Sequence, residues 1–306
     1  MDSRDILKEP EEVIDNTYLE NIYSLQKELL EGYIGIEGLP PYPINVNTKK
    51  NQSLIKDFVG RVIEELGESY ESLVFIYEIM QSTMYLTSCD NYKEELVKIC
   101  NHLQNCNEEL ADSLHFMVEL LIYSNIQPSD IDRYLNNQIR VVYPLVENLT
   151  GMANLNTLQK AMDFGYLWVR ECTPYIGEVS NSNVVNIITR VDNYNDNIED
   201  IKERITIDKR LIEGAHKFNE LTYISYKSVM WDITYHLNIA RNYLKNKPWK
   251  KSQMMTDEIR FQEELVKAFI SLMGLFKYMG IETDKNLYLL YYKKNQINKF
   301  RQKSNY

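Results

Sequence analysis

The chain has 306 residues, of which 44% are hydrophobic and 25% charged, and its formal net charge is −10. This composition is that of a soluble globular protein with one large domain or two ordinary ones. Its 11 glycines and 8 prolines are few for a β-sandwich or a glycine-loop nucleotide fold, and the acidic balance disfavours a duplex-binding protein.

The richest apolar stretch, residues 265–281, is interrupted by Lys267 and Lys277. A membrane span needs about 20 uninterrupted apolar residues, so we expect no membrane segment. The chain shows no signal peptide and its cysteines form no CxxC pair, which predicts reduced thiols in a cytosolic protein. The four cysteines are Cys89, Cys100, Cys106 and Cys172.

Helical periodicity dominates the chain, because apolar residues recur at positions i, i+3, i+4 and i+7 in seven segments. In chain order the predicted helices span residues 18–33, 54–84, 93–103, 108–124, 157–172, 223–244 and 258–279. Prolines predict helix breaks at residues 39–43 and near Pro128, Pro144, Pro174 and Pro248. The one candidate strand, residues 183–190, is equally consistent with a helix. The sequence therefore predicts an all-α protein of bundled helices.

Three pairs of segments match in the same order and indicate an internal duplication. The first pair shares Leu-Gln-Lys followed by Gly-Tyr, the second shares Glu-Glu-Leu and a frame of apolar positions, and the third shares a tyrosine followed by Asn-Gln-Ile. The paired ranges are 25–33 with 158–166, 108–126 with 263–281, and 134–139 with 292–297. We place the boundary near Thr150, which gives a first repeat of residues 1–150 and a degenerate second repeat of residues 151–306.

The first repeat carries two pairs of acidic residues at a spacing of three. Glu65 and Glu68 share one face of a predicted helix, and so do Glu109 and Asp112. Two such helices packed side by side would bring four carboxylates together, and their mutual repulsion requires a counter-ion. Mg²⁺ suits such a site because it binds carboxylates together with phosphate oxygens. Each pair alone is also typical of a solvated helix face, but Asp112 lies among apolar residues at the expected edge of the core.

His115 follows Asp112 by one helical turn. We interpret it first as a core histidine that bonds a neighbouring carboxylate and fixes its orientation, and only second as a metal ligand, because oxygen ligands suit Mg²⁺ better. The second repeat keeps the apolar frame but has Lys267 in place of Asp112 and Ile270 in place of His115. We therefore do not expect it to hold a divalent cation.

Basic residues gather near the C-terminus, at 245–251 and 293–303. In the second of these ranges Lys294, Asn298 and Arg301 fall on one helical face at i, i+4 and i+7. A lysine and an arginine with an amide between them suit a phosphate chain together with a sugar or base edge. The alternative is a solvated charged tail, since cations favour the C-terminal end of any helix.

Together these motifs resemble the dimeric dUTPase family, which includes phage dCTPase–dUTPases and is related to the MazG-type NTP pyrophosphatases. The pattern is Glu-x-x-Glu, then Glu-Leu-x-Asp-x-x-His-Phe, then Lys-Asn-x-x-Asn-x-x-Arg-Gln and a final tyrosine. Residues 25–27 resemble the family's first motif, whose glutamine contacts the base, and residues 247–250 resemble its Trp-Lys segment. The residues that carry the main motifs are Glu65, Glu68, Glu109, Asp112, His115, Phe116, Lys294, Asn295, Asn298, Arg301, Gln302 and Tyr306.

The resemblance implies a dUTP diphosphatase-like, all-α NTP pyrophosphohydrolase that depends on Mg²⁺ and releases a nucleoside monophosphate and pyrophosphate. It implies a cytoplasmic enzyme of nucleotide metabolism, acting in the host cytoplasm if the protein is viral. Lys294 and Arg301 would neutralise charge on the phosphates, while Gln26 and Asn298 would orient the base and sugar. The implied catalytic and metal-binding residues are Glu65, Glu68, Glu109 and Asp112, and the implied substrate-binding residues are Gln26, Lys294, Asn298, Arg301, Trp249 and Tyr306.

Three features depart from the family pattern and bear on base selectivity more than on metal binding. Leu29 stands where the family has Asn or Asp, three residues after the first-motif glutamine. Trp249 lies in the second repeat, whereas the family's tryptophan lies between the two acidic pairs. The gap between Glu68 and Glu109 is also long.

Several alternatives stay open. The substrate can be dCTP or another dNTP instead of dUTP. The chain can also be a catalytically altered nucleotide-binding or protein-interaction module on the same scaffold, because the second repeat has lost its acids. The two repeats can act as a pseudo-dimeric monomer or within a homodimer.

Overall fold

The computed structural model describes residues 17–83, 89–142, 152–172, 209–246 and 254–304. These ranges contain eight α-helices, one short 3-10 helix and no strand, so the expectation of an all-α protein is confirmed for them. None of the helices in these ranges has the length and apolar character needed to cross a membrane. Several features singled out above lie outside the described residues: the candidate strand at 183–190, Pro144, Pro174, Pro248, Trp249 and Tyr306.

Within the described ranges, each half of the chain contributes four α-helices. The first half contains α1 (Tyr18–Glu37), α2 (Lys49–Thr83), α3 (Cys89–Tyr123) and α4 (Pro128–Val142). The second half contains the 3-10 helix (Met152–Asn154), α5 (Thr157–Cys172), α6 (Lys209–Tyr243), α7 (Glu258–Tyr278) and α8 (Asp284–Lys303).

Most helix limits follow local sequence signals. The α5 helix has the predicted limits, and Pro128 is the first residue of α4, where its missing N–H costs no hydrogen bond. The two segments predicted at 93–103 and 108–124 form one continuous helix, α3, which contains no glycine or proline that would interrupt it. Side chains cap α7 and α8 at their N-termini, where Asp257 accepts from the amide of Arg260 and Thr283 accepts from that of Asn286.

The C-terminal ends of α3 and α7 are built alike. Asn125 (φ 57°) and Gly280 (φ 95°), which align when residues 108–126 are matched with 263–281, both adopt a left-handed backbone conformation. This conformation closes each helix with the same pair of backbone hydrogen bonds, a Schellman arrangement. In α3 the amides of Ile126 and Asn125 donate to the carbonyls of Leu121 and Ile122, and in α7 those of Ile281 and Gly280 donate to the carbonyls of Phe276 and Lys277.

The last helix of each half packs against the other half. Within each half the two central helices pack on each other, α2 on α3 and α6 on α7, and α2 also packs on α6. The last helix of each half contacts the first helix of the other half, so that α8 lies on α1 and α4 lies on α5. Because α8 also contacts α3, residues from both ends of the chain meet beside the acidic helices.

The two halves differ in how closely their first and third helices approach. Gly165 of α5 and Gly274 of α7 bring the two backbones together, since a Cβ built on Gly165 would lie 3.0 Å from the Cα of Gly274. Glu119 occupies the position of α3 that matches Gly274, and α1 packs on α3 over a much shorter length than α5 packs on α7. The first and third helices are therefore in closer contact in the second half than in the first.

Candidate functional site

Three carboxylates meet where α2 packs on α3. One oxygen each of Glu65, Glu109 and Asp112 lies within 4.8 Å of the other two, and all three side chains are partly buried. Glu109 and Asp112 point to the same side because they are three residues apart on α3. The two acidic motifs predicted from the sequence are therefore adjacent in space.

Glu68, the fourth predicted carboxylate, lies beside this group and not within it. Its side chain is exposed on α2, one turn from Glu65. Its negative charge still raises the pKa of both Glu65 and Glu109. The site thus consists of a compact group of three carboxylates with one exposed neighbour, whereas the sequence predicted four that converge.

Burial and mutual repulsion raise the pKa values of the three carboxyl groups. Burial, followed by the charges of Asp112, Glu109 and Glu68, raises the pKa of Glu65 to about 8. Burial also raises the pKa of Glu109 and that of Asp112, although the positive charge of Lys294 opposes both shifts. A nearby positive charge would favour the ionised form of these carboxyl groups, as that of Lys294 does.

Lys294 brings the C-terminal motif to the acidic group. Its Nζ lies 2.7 Å from Oδ2 of Asp112, and the lysine is 7% exposed. Two turns further along α8 lies the exposed Arg301. Burial raises the pKa of Asp112 and that of Tyr33, and the charge of Arg301 opposes both shifts. Asn298, between them in sequence, is partly exposed. The structure therefore places basic groups from the end of the chain beside acidic groups from its first half.

Other residues of the C-terminal motif attach α8 to α1. Asn295 Nδ2 donates to the carbonyl of Leu25 (3.3 Å), and Gln302 Nε2 donates to that of Leu29 (3.1 Å). Lys299 forms an ion pair with Glu28 at 2.7 Å. Leu29, which departs from the family pattern, is itself buried. These contacts place Lys294 and fix α1 against the site.

Gln26 lies in the same region and bonds His115. The Nδ1 atom of His115 is 2.9 Å from Oε1 of Gln26, and the hydroxyl of Tyr291 donates to the same oxygen at 2.5 Å. The interpretation of His115 as a core histidine is confirmed by its burial, but the carboxylate partner is wrong, because Nδ1 bonds the amide of Gln26. Tyr291 carries no motif of its own, and its one sequence signal is its position one helical turn before Lys294.

The matching region of the second half is charge-balanced. Glu264 accepts from Lys267 Nζ at 2.6 Å and bonds His236 Nδ1 at 2.7 Å, while Asp232 accepts from Ser271. Burial alone would raise the pKa of Glu264, but the hydrogen bonds from Lys267 and His236 outweigh it and lower that pKa. A lysine ammonium thus occupies the position that corresponds to Asp112, as the sequence predicted from Lys267.

Comparison with known protein families, with curated proteins and with solved structures finds no match to this chain. The family resemblance therefore rests on the motif residues alone. The positions of the carboxylate group and of Lys294 are the basis for a functional proposal.

Proposed function

We propose that the chain is a Mg²⁺-dependent nucleoside triphosphate pyrophosphohydrolase that acts on a pyrimidine deoxynucleoside triphosphate, with dUTP favoured. One observation carries this proposal: Lys294 lies 2.7 Å from Asp112, at the edge of the group formed by Glu65, Glu109 and Asp112. A site that binds both a metal and a polyphosphate needs acidic ligands next to basic groups, and this contact supplies both.

The chemistry of the donor set fits Mg²⁺. All the ligand atoms are carboxylate oxygens, which a hard cation prefers to nitrogen or sulfur. Asp112 has two oxygens, so one can accept from Lys294 while the other faces the cation. A bound Mg²⁺ would neutralise phosphate charge and lower the pKa of a coordinated water.

The basic residues of α8 would bind the phosphate chain. Hydrolysis adds water across one phosphoanhydride bond and leaves a nucleoside monophosphate and pyrophosphate, with negative charge increasing on the phosphate oxygens. Lys294, held close to the carboxylates, and Arg301, exposed two turns away, would stabilise that charge. Asn298 and Gln26 would orient the sugar and base.

We further propose that the chain is a duplicated scaffold with a single working site. The equivalent helix ends of α3 and α7 and the reciprocal packing of α8 on α1 and α4 on α5 support this view. In the second half Lys267 balances Glu264, and the backbones of α5 and α7 approach closely at Gly165 and Gly274. One chain would then contain what a homodimer otherwise provides.

A second candidate is a catalytically altered nucleotide-binding or protein-interaction module on the same scaffold. It is favoured by the position of Glu68 outside the carboxylate group and by the neutralisation of Asp112 by Lys294. Substitution of either acid by alanine distinguishes the two. Turnover should be lost in Glu68→Ala or Asp112→Ala if the chain is an enzyme, whereas a scaffold would keep its partner binding in both variants.

The test of the proposed function is a panel of all common dNTPs and NTPs, assayed with Mg²⁺ for release of pyrophosphate. We expect pyrophosphate from dUTP first, then from dCTP or another pyrimidine deoxynucleotide, and no release when EDTA replaces Mg²⁺. Absence of pyrophosphate release from every nucleotide in the panel would contradict the proposal.

A further inference from the structure

Arg61 of α2 is a cation outside the motifs that carry the family resemblance. It lies one helical turn before Glu65, so the two side chains project from the same face of α2. Its side chain is 40% exposed, and its Nε donates to Oδ2 of Asp57 at 3.2 Å. Because the side chain of Asp57 is 58% exposed, water weakens this ion pair. Arg61 is therefore an accessible cation one turn from the carboxylate group.

Two aromatic rings hold the guanidinium of Arg61. Its Cζ lies 5.6 Å from the ring centroid of the buried Phe58 and 5.5 Å from that of Phe116, which follows Asp112 by one turn on α3. Only Nε is bonded to Asp57, and within the described ranges nothing accepts from the four Nη–H donors. A guanidinium held in this way presents a free pair of donors in a fixed orientation, as bidentate binding of a phosphate requires.

The end of α8 brings a second accessible cation to this region. The amide of Gln302 packs on α1, where its Nε2 donates to the carbonyl of Leu29 at 3.1 Å and a Cβ built on Gly32 would meet it. The neighbouring residues are the exposed Arg301 on α8 and the half-buried Tyr33 on α1. In the part of the chain that the structure describes, the Arg301 side chain forms no ion pair.

Tyr33 is a common neighbour of the two arginines. Burial raises the pKa of its hydroxyl, as do the charges of Glu37 and Glu119, and the charges of Arg301 and Arg61 oppose the shift. Both guanidinium groups are therefore close enough to act on this hydroxyl. Burial raises the pKa of Glu119 to about 8, so that this carboxyl is mostly uncharged at pH 7 and leaves the positive charge of the arginines largely uncompensated.

The matching tyrosine of the second half has a different environment. Tyr166, which corresponds to Tyr33, has the Nζ of Lys277 5.8 Å from its ring centroid. Lys277 is paired with Asp163, and both side chains are largely buried. The cation beside Tyr166 is thus neutralised by a sheltered carboxylate, whereas the counter-ion of Arg61 is exposed to water.

We propose that Arg61, Tyr33 and Arg301 form an oxyanion site that binds the phosphates distal to the sugar, so that the chain prefers a triphosphate to a monophosphate. That this anion belongs to a nucleotide rests on the proposed function. One helical turn advances about 5.4 Å, which separates the level of Arg61 from that of Glu65 along α2. A single phosphate bound at the carboxylate group does not extend to Arg61, whereas a chain of three phosphates does.

The first test is a calorimetric titration of the full chain with inorganic pyrophosphate in the presence of Mg²⁺. We expect Arg61→Gln to weaken binding at least about tenfold, because it removes charged donors to the anion. Arg133→Gln is the matched control, since Arg133 is an exposed arginine of α4 that also pairs with an aspartate of its own helix. It should bind pyrophosphate within about twofold of the wild type. Unchanged affinity in Arg61→Gln, equal losses in both variants, or a wild type that does not bind pyrophosphate would overturn the proposal.

A lysine variant decides the question if Arg61→Gln does not fold. Arg61→Lys keeps the positive charge and an aliphatic stem over the rings, but it cannot present two parallel donors. We expect it to bind pyrophosphate at least about threefold more weakly than the wild type does, and wild-type affinity would contradict the proposal.

The second test compares dUMP with a non-hydrolysable dUTP analogue as ligands. Arg61→Gln should weaken binding of the analogue at least about tenfold and leave binding of dUMP within about twofold. Equal losses for the two ligands would mean that Arg61 has a structural role only, and the proposal would be wrong. If the wild type hydrolyses no nucleotide, the proposed function fails, but the titration with pyrophosphate still decides whether the oxyanion site exists.

Discussion

Two adjacent glutamates of α2 have very different surroundings. Glu65 belongs to the carboxylate group with Glu109 and Asp112, whereas Glu64 is exposed on another face of the helix. We predict that Glu65→Gln lowers kcat for nucleotide hydrolysis at least about a hundredfold, because it removes a charged metal ligand. Glu64→Gln is the matched control and should retain activity within about twofold. Equal activity of the two variants in the pyrophosphate-release assay would show that Glu65 has no part in catalysis.

Glu119 is a buried carboxylate outside the proposed metal ligands. Burial raises its pKa to about 8, although the charge of Arg61 opposes the shift. In the unfolded chain its pKa is close to the ordinary value of 4.5. The folded protein therefore binds more protons than the unfolded chain between these two values, and stability falls as the pH rises through that window.

We predict that Glu119→Gln removes this pH dependence. Relative to the wild type, the free energy of unfolding of the variant should fall less between pH 5 and pH 8, by at least about 1 kcal/mol. Urea denaturation at both pH values, without metal, measures the difference. The matched control Glu20→Gln, at an exposed position of α1, should follow the wild type, and a Glu119→Gln curve that also follows it would be the contrary result.

The residues of the site differ in how far the sequence reveals them. Spacing on a helix is sufficient to pair Glu109 with Asp112, and it also places Lys294 and Arg301 on one face. It does not reveal the partner of His115, because Gln26 and Tyr291 are distant in sequence and reach it only through packing of α1 and α8. Spacing also does not reveal that Glu68 lies outside the carboxylate group, because this depends on how α2 is rotated against α3.

The backbones of α5 and α7 approach closely where Gly165 faces Gly274, because neither residue has a Cβ. A Cβ at Gly274 would meet the backbone of Gly165, so the helices would have to separate. We predict that Gly274→Ala destabilises the protein by about 1–3 kcal/mol, as overpacking of a core does. Gly60→Ala is the matched control, because Gly60 is exposed on α2 and a Cβ there meets nothing within 4 Å. It should stabilise the protein by up to about 1 kcal/mol through helix propensity, and thermal unfolding that gives both variants the same sign would contradict this account.

Helix positions are more predictable than their partners. Apolar periodicity located α1, α2, α5 and α7 closely, and the limits of α5 agree with the prediction. The predicted segment 223–244 covers only the later part of α6, and the predicted segments do not include α4 and α8. It divided α3 into two segments because the polar residues between 103 and 108 weaken the apolar pattern, although nothing there breaks a helix. No local signal predicts that α8 packs on α1 of the opposite half, since this contact depends on the path of the whole chain.

At the scale of the whole molecule, acidic and basic groups of the candidate site come from one polypeptide. Glu65, Glu109 and Asp112 belong to the first half, and Lys294 reaches Asp112 because α8 crosses to that half. A second copy is not needed to complete this contact. The sequence shows that the acidic motifs lie in the first half and the basic motif at the end of the second. Only the fold shows that α8 packs on α1 and that α4 packs on α5.

We therefore predict that activity per chain does not depend on protein concentration. Specific activity towards dUTP should stay constant over about a thousandfold dilution, because no subunit dissociation can remove a part of the site. Sedimentation velocity over the same range supplies the control for oligomeric state. A dimer that loses activity as it dissociates would show that one chain is insufficient.

The most direct test of the central claim is a crystal structure with Mn²⁺, as a substitute for Mg²⁺, and a non-hydrolysable dUTP analogue. Anomalous scattering locates Mn²⁺ independently of the protein atoms. We predict an anomalous peak within coordination distance of Glu65, Glu109 and Asp112, with the phosphates of the analogue against Lys294 and Arg301. A peak elsewhere, or a nucleotide that binds away from these residues, would contradict the claim that the first-half acids and the last helix form one site.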